Sequence, residues 1–128
     1  MKDGRPKRGI DRDLALKVLA LCSAVKDALD DLLETMFIIY QPKSVIAEIG
    51  DSVSFTVIAM NVSAYQWQYS TDGTQWYTTN ATGNKTPTMS VEATEERYNN
   101  YYRCRLRDAY NNTIYSDIVR IYPNNEEV

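Results

Sequence analysis

The chain of 128 residues contains no histidine and only two cysteines. Histidine is the side chain most often used for acid–base catalysis near neutral pH and for binding metal ions, so its absence argues against both kinds of site. The sequence also shows no glycine-rich phosphate loop, no paired catalytic carboxylates and no dense acidic calcium loop. We therefore expect a protein that is not an enzyme, has no cofactor and binds no metal.

Long apolar runs are also missing. No stretch approaches the roughly 18 consecutive apolar residues of a membrane-spanning helix. The formal net charge of −3 gives no electrostatic reason to expect a nucleic acid or a membrane as partner. Residues 14–24 come nearest to a signal peptide, but two aspartates precede them and Lys17 interrupts them, so we expect no cleaved export signal.

Residues 11–37 contain no glycine or proline and are rich in leucine, alanine and charged residues, which predicts one long helix. Asp11 or Asp13 can cap its first turn. One row of apolar residues repeats at alternating spacings of four and three, as in a coiled coil: Leu14, Val18, Leu21, Val25, Ala28 and Leu32. A second row lies beside it: Ala15, Leu19, Cys22, Leu29, Leu33 and Met36. A helix with so wide an apolar face has to bury it.

This face can be covered in three ways. The helix can pack on the rest of its own chain, associate with copies of itself, or lie in a groove of another protein. We expect self-association, with a trimer favoured because the face is wider than a two-stranded coiled coil requires, or docking in an assembly. Residues 1–10 form a basic arm, which is either a disordered terminus or an anchor on an acidic partner.

From residue 44 the apolar period changes to two, and turn signals recur about every ten residues, as in all-β sandwiches and barrels. We predict seven short strands, at residues 44–48, 51–59, 64–70, 75–79, 86–92, 99–107 and 113–122. Residues 38–43 are predicted as a linker and residues 124–128 as an acidic tail. The fold class is therefore expected to be mainly β, with one long N-terminal amphipathic α-helix followed by a seven-stranded antiparallel β-sandwich over residues 44–123.

Cys104 alternates with Tyr102 and Leu106 on the expected core face of its strand, and no histidine is available to activate its thiol. Cys22 lies on the apolar face of the predicted helix. We interpret both cysteines as reduced, small core residues.

The opposite face of the same strand carries Tyr101, Arg103, Arg105 and Arg107. Interleaved aromatic and basic residues are a feature of nucleic-acid binding, but arginine is exposed by default, and a solvated face is the simpler interpretation. Tyr101, Arg103 and Arg105, with Tyr110 from the following turn, are the candidate surface contacts.

Two stretches, YQWQYSTDGTQWY (residues 65–77) and ATEERYNNYYRCRLRDAYNNTIYS (residues 93–116), resemble the immunoglobulin-like (Ig-like) modules of bacterial surface proteins and bacteriophage structural proteins. The resemblance covers residues 42–123. It implies that Trp67 is the buried tryptophan of the third strand, Tyr102 the corner tyrosine and Cys104 one position of the usual disulfide. Val57 occupies the partner position, so the resemblance implies a core without that disulfide.

Modules of this family serve as spacers, adhesive modules or decorations on cells and virions. The resemblance therefore implies a structural or display protein, expected to be a bacteriophage virion component: a head fibre, capsid decoration or tail accessory protein assembled in the host cytoplasm. Its expected partners are copies of itself and a virion protein such as capsid or tail. The alternative is a bacterial cell-surface adhesion module that binds a host-surface glycan or protein. No nucleic acid or membrane partner is expected.

Overall fold

The computed structural model describes residues 11–124, apart from the side chain of Leu32. The chain divides into two compact units, Met1–Thr35 and Met36–Val128. The predicted basic arm over residues 1–10 lies outside the described residues, as do residues 125–128 of the predicted acidic tail.

Over its described residues, 11–35, the first unit forms one helix, α1, Arg12–Glu34. Its N-cap is Asp11, whose carboxylate accepts a hydrogen bond from the Leu14 backbone N–H at 2.8 Å. At the other end Thr35 has extended backbone, and its N–H donates to the Asp31 carbonyl at 2.9 Å. The helix is therefore three residues shorter at its C-terminal end than the sequence predicts.

Residues 36–40 belong to the second unit. Met36 is buried in the sandwich core, and Phe37–Tyr40 forms strand β1. The prediction of a helix to residue 37 and a linker over residues 38–43 is therefore wrong at these positions. Aromatic and β-branched residues favour strands, and Ile38 packs against the core.

Nine further strands follow among the described residues. They are β2 Val45–Ile46, β3 Ser52–Thr56, β4 Ile58–Met60, β5 Ala64–Ser70, β6 Tyr77–Thr78, β7 Thr88–Glu92, β8 Tyr101–Arg107, β9 Thr113–Tyr115 and β10 Val119–Tyr122. A single turn of 3-10 helix, Arg97–Asn99, precedes β8.

One layer of the sandwich has the strand order β2-β10-β8-β5-β6, with β9 also paired to β8. The other layer consists of two antiparallel pairs, β1-β4 and β3-β7. Since only Val57 separates β3 from β4, one bent run of chain serves both pairs. The pairing of β2 with β10 is parallel, which departs from the fully antiparallel sandwich that the sequence predicts.

Two predicted strands are each split in the structure. The run over residues 51–59 bends at Val57, whose N–H donates to the Pro87 carbonyl at 2.9 Å. The run over residues 113–122 is interrupted at residues 116–118, where Ser116 is buried. Both breaks depend on hydrogen bonds to distant residues, so the local period of two does not reveal them.

The core lies between the two layers. Its most completely buried large side chains are Phe55, Trp67, Met89, Tyr102, Leu106 and Ile121. They alternate along their strands with polar residues, which confirms the predicted mainly β fold class.

Candidate interaction surfaces

The four residues predicted as the core signature all lie inside the sandwich. Val57, Trp67, Tyr102 and Cys104 are each at most 2% exposed. Trp67 on β5 is the direct partner of Cys104 on β8, and its indole N–H donates to the Thr86 carbonyl at 2.8 Å. The Cys104 thiol is free, and burial raises its pKa to about 12. At neutral pH it is a protonated core group and not a nucleophile.

Within the described part of the chain, the Tyr102 hydroxyl makes no hydrogen bond to upstream backbone of the kind usual for a corner tyrosine. Its hydroxyl instead accepts a hydrogen bond from the side-chain amide of Asn100 at 3.2 Å. Burial raises the pKa of Tyr102.

The carboxylates of Asp72 and Asp108 each organise a turn. Asp72 Oδ1 accepts backbone hydrogen bonds from Thr74 and Gln75 at 2.8 and 2.9 Å, and these bonds lower its pKa. Asp108 accepts bonds from the side chain and backbone of Asn112, which lower its pKa in the same way. Within residues 11–124 no three histidine, cysteine or acidic side chains come together as a metal site.

The apolar face of α1 is the first candidate surface. The predicted docking residues Leu14, Val18, Leu21 and Val25 are 42–65% exposed, Ala28 is exposed as well, and the Leu32 side chain is not described. The second row is also exposed: Leu19, Cys22, Leu29 and Leu33. The prediction that Cys22 is a buried core residue is therefore wrong for the single chain. No helix in the described part of the chain is long and apolar enough to cross a membrane.

Charged residues border this apolar face. Lys17 pairs with Asp13 at 3.5 Å, and Lys26 pairs with Asp30 at 2.8 Å. On a helix of 3.6 residues per turn, these pairs lie on the two sides of the apolar stripe. Each of these two pairs is formed within a single helix.

The second candidate surface lies on the outer face of the β5-β8-β9-β10 layer, and we call it the arginine–aromatic face. It consists of Trp76, Tyr101, Arg103, Arg105, Tyr115 and Arg120. The strand register brings the strand residues to one side of the sheet, since Tyr101 pairs with Arg120 and Arg105 pairs with Tyr115. Trp76 lies just before β6 and joins this face through its contact with Arg103.

Arg103 lies between two aromatic rings at the centre of this face. Its guanidinium carbon is 4.1 Å from the ring centre of Trp76 and 3.9 Å from that of Tyr115. Its Nε donates to the Gln68 side chain at 2.9 Å. Desolvation by these neighbours lowers the pKa of Arg103, but an arginine remains protonated throughout the physiological range.

Arg120, on the neighbouring strand β10, also lies over aromatic rings. Its guanidinium carbon is 4.6 Å from the Tyr101 ring centre and 5.4 Å from that of Tyr122. One terminal nitrogen donates to the Tyr98 carbonyl at 3.0 Å, while Nε is buried without a hydrogen-bond partner.

Three of the four predicted surface contacts thus share this face: Tyr101, Arg103 and Arg105. Tyr110 belongs to the turn over residues 108–112 and is 77% exposed. Sequence reasoning missed Trp76 and Tyr115, because their approach to Arg103 depends on the pairing of separate strands. The prediction of a simply solvated arginine is wrong for Arg103, which is held between rings.

No protein-family model and no curated protein sequence matches the chain. Among solved structures, Duf (Kirre) D1 is similar, with a TM-score of 0.51 and 15% identity over 70% of this chain and 97% of that one. The Twitchin kinase region from C. elegans is similar with a TM-score of 0.50 and 15% identity, over 71% of this chain and 16% of that one. A chain from a mutant complex of titin M10 with obscurin like 1 Ig has a TM-score of 0.50 and 14% identity, over 73% of this chain and 96% of that one. Likeness at this identity defines the fold alone: the second unit is an Ig-like β-sandwich.

Proposed function

We propose that the chain is a non-enzymatic display protein whose α1 associates with copies of itself and whose Ig-like sandwich is the displayed module. The observation that carries this proposal is the exposed apolar face of α1, where Leu19, Leu21 and Leu33 are each 64–65% exposed. Removing apolar surface from water gains about 25 cal/mol per Å² before the entropic cost of association is subtracted, so burial of a stripe several turns long favours a multi-helix bundle.

The width of the stripe is the reason to favour three helices over two. Two adjacent apolar rows run along α1, whereas a dimeric coiled coil buries a narrower strip. The flanking pairs Asp13–Lys17 and Lys26–Asp30 are satisfied within one helix and need no partner charge.

We further propose that the displayed module belongs to a bacteriophage virion. The sequence resemblance over residues 42–123 supports this setting. The reduced core around Cys104 is compatible with assembly in a reducing cytoplasm, since the sandwich forms without the disulfide of related modules. The alternative is a bacterial cell-surface adhesion module, which the arginine–aromatic face supports.

The association is tested by light scattering and sedimentation of the full chain over a range of concentrations. We expect a trimer that dissociates on dilution. A monomer at every concentration would contradict self-association and leave docking on another protein as the role of α1.

The virion setting is tested on gradient-purified particles from a culture whose phage encodes the chain. We expect the protein in the particles by mass spectrometry, and a feature of the particle surface to disappear when the gene is deleted. Recovery with the cell envelope, and not with particles, would favour the adhesion alternative.

A further inference from the structure

We propose that the arginine–aromatic face binds a carboxylate-bearing protein surface. This inference does not depend on the association of α1, and the two are tested by different substitutions.

The face carries cations that the sandwich leaves uncompensated. Within residues 11–124, none of Arg103, Arg105, Arg107 and Arg120 forms an ion pair with a carboxylate, although the whole chain has a net charge of −3. Asp72 and Asp108, the carboxylates in the turns flanking β5 and β8, accept hydrogen bonds within those turns. Arginine forms strong bidentate pairs with carboxylates, so an anionic partner would supply what the fold does not.

Arg103 is oriented before any partner arrives. The Trp76 and Tyr115 rings, each within about 4 Å of the guanidinium carbon, and the bond from Nε to Gln68 restrict the orientation of the guanidinium. The two terminal nitrogens have no protein partner among the described residues, which leaves four N–H donors in a planar fork. A fixed fork matches the two oxygens of a carboxylate and loses little side-chain entropy on binding.

The charge next to Arg103 also favours binding of an anion. Arg105 stands two residues further along the same strand face, and the repulsion between the two guanidinium groups contributes to the lowered pKa of Arg103. A carboxylate placed between Arg103 and Arg105 would relieve this repulsion and accept hydrogen bonds from the free terminal nitrogens of Arg103.

The geometry favours a protein over a nucleic acid. Single-stranded nucleic acids stack their bases on exposed aromatic faces, but the facing sides of Trp76 and Tyr115 are occupied by the Arg103 guanidinium. Tryptophan, tyrosine and arginine are also the residues that carry most of the energy of protein–protein interfaces. Sugars and small molecules prefer concave sites. Arg120, at one end of the face, lines the cleft at Tyr98, but Arg103 at its centre lines none of the clefts at Tyr98, Tyr69 or Val45.

The test measures binding of a fluorescein-labelled oligoglutamate peptide to the full chain at about 0.15 M ionic strength, where long-range charge effects are screened. We expect saturable binding, with weaker binding of a thymidine oligonucleotide and of alginate, a polyuronate. Arg103→Gln should lower the affinity about tenfold or more, the size expected for a lost bidentate ion pair.

Two substitutions leave the net charge unchanged. They distinguish a binding site with a defined geometry from nonspecific electrostatic attraction. Arg103→Lys and Trp76→Ala should each weaken binding about fivefold or more, because they remove the planar fork or its support. Lys85→Gln, which removes an exposed charge from a turn, should change the affinity less than about twofold. Denaturation midpoints and light scattering confirm that each variant is folded and keeps its oligomeric state.

Three results would overturn the proposal. Oligoglutamate could fail to bind, the oligonucleotide or alginate could bind more tightly, or Arg103→Lys and Trp76→Ala could bind as tightly as the parent chain. Since none of these variants alters α1, such a result would not affect the proposed association, and loss of that association would not affect this site.

Discussion

Cys104 and Ser116 are joined by two hydrogen bonds, although β9 ends at Tyr115. The Cys104 N–H donates to the Ser116 hydroxyl at 2.8 Å, and the Ser116 N–H donates to the Cys104 carbonyl at 2.9 Å. The same hydroxyl donates to the Asp117 carbonyl at 3.0 Å. Ser116 therefore continues the pairing of β8 across the break between β9 and β10.

The first prediction concerns this buried hydroxyl. Ser116→Ala leaves the Cys104 N–H without a partner in the core, so the free energy of unfolding should fall by about 1–3 kcal/mol. Urea denaturation measures the change. Ser54→Ala is the matched control, since it removes an exposed hydroxyl that bonds Ser90 and should cost no more than about 0.5 kcal/mol. Equal losses in the two variants would contradict this role of Ser116.

The second prediction compares two glycines with positive φ. Gly83 has a φ of +75°, and a Cβ there would clash with the Thr88 carbonyl oxygen. Gly50 has a φ of +99°, but a Cβ there would meet open space. Gly50→Ala should lower the free energy of unfolding by about 1–2 kcal/mol through backbone strain alone. Gly83→Ala should lower it by about 2 kcal/mol more, because the added Cβ also clashes. Thermal or urea denaturation checks the difference, and equal costs would show that the clash is absent.

The third prediction follows from the raised pKa of Cys104. The folded thiol keeps its proton up to a pKa of about 12, while an unfolded thiol loses it near 9.0. Between these values the folded state binds more protons, so stability falls as the pH rises, with a slope of up to about 1 kcal/mol per pH unit from this group.

Cys104→Ala should remove that component of the alkaline loss, and urea denaturation at pH 8, 9 and 10 would measure it. Parallel pH profiles for the two proteins would contradict the raised pKa. In a Cys22→Ser background, Cys104 should also fail to react with a thiol reagent until denaturant is added.

Much of the fold could be predicted from the sequence because its signals are local. The helix is defined by its composition and by the Asp11 cap, and the core positions of Trp67, Tyr102 and Cys104 follow from strand alternation and from the resemblance to Ig-like modules. What could not be predicted depends on distant partners. Phe37–Tyr40 suits a buried helix end as well as a strand, and only its pairing with β4 decides between them.

Of the two candidate surfaces, one could be predicted from local sequence and the other could not. The apolar face of α1 is visible as a spacing within one helix. The position of Arg103 between Trp76 and Tyr115 requires the register of β8 with β9 and the path of the chain after β5. Sequence alternation placed the arginines on the outer face but could not show that aromatic rings hold one of them.

The association of α1 is tested most directly by a pair of matched substitutions in the full chain. Leu21 lies in the predicted seam, whereas Leu16 lies on the opposite side of the helix, and both leucines are exposed in the single chain. Light scattering should show that Leu21→Asp is monomeric, because a charge buried among apolar residues is strongly unfavourable. Leu16→Asp should remain a trimer like the parent chain. The same mass for all three proteins, or dissociation of both variants alike, would contradict association through the apolar face of α1.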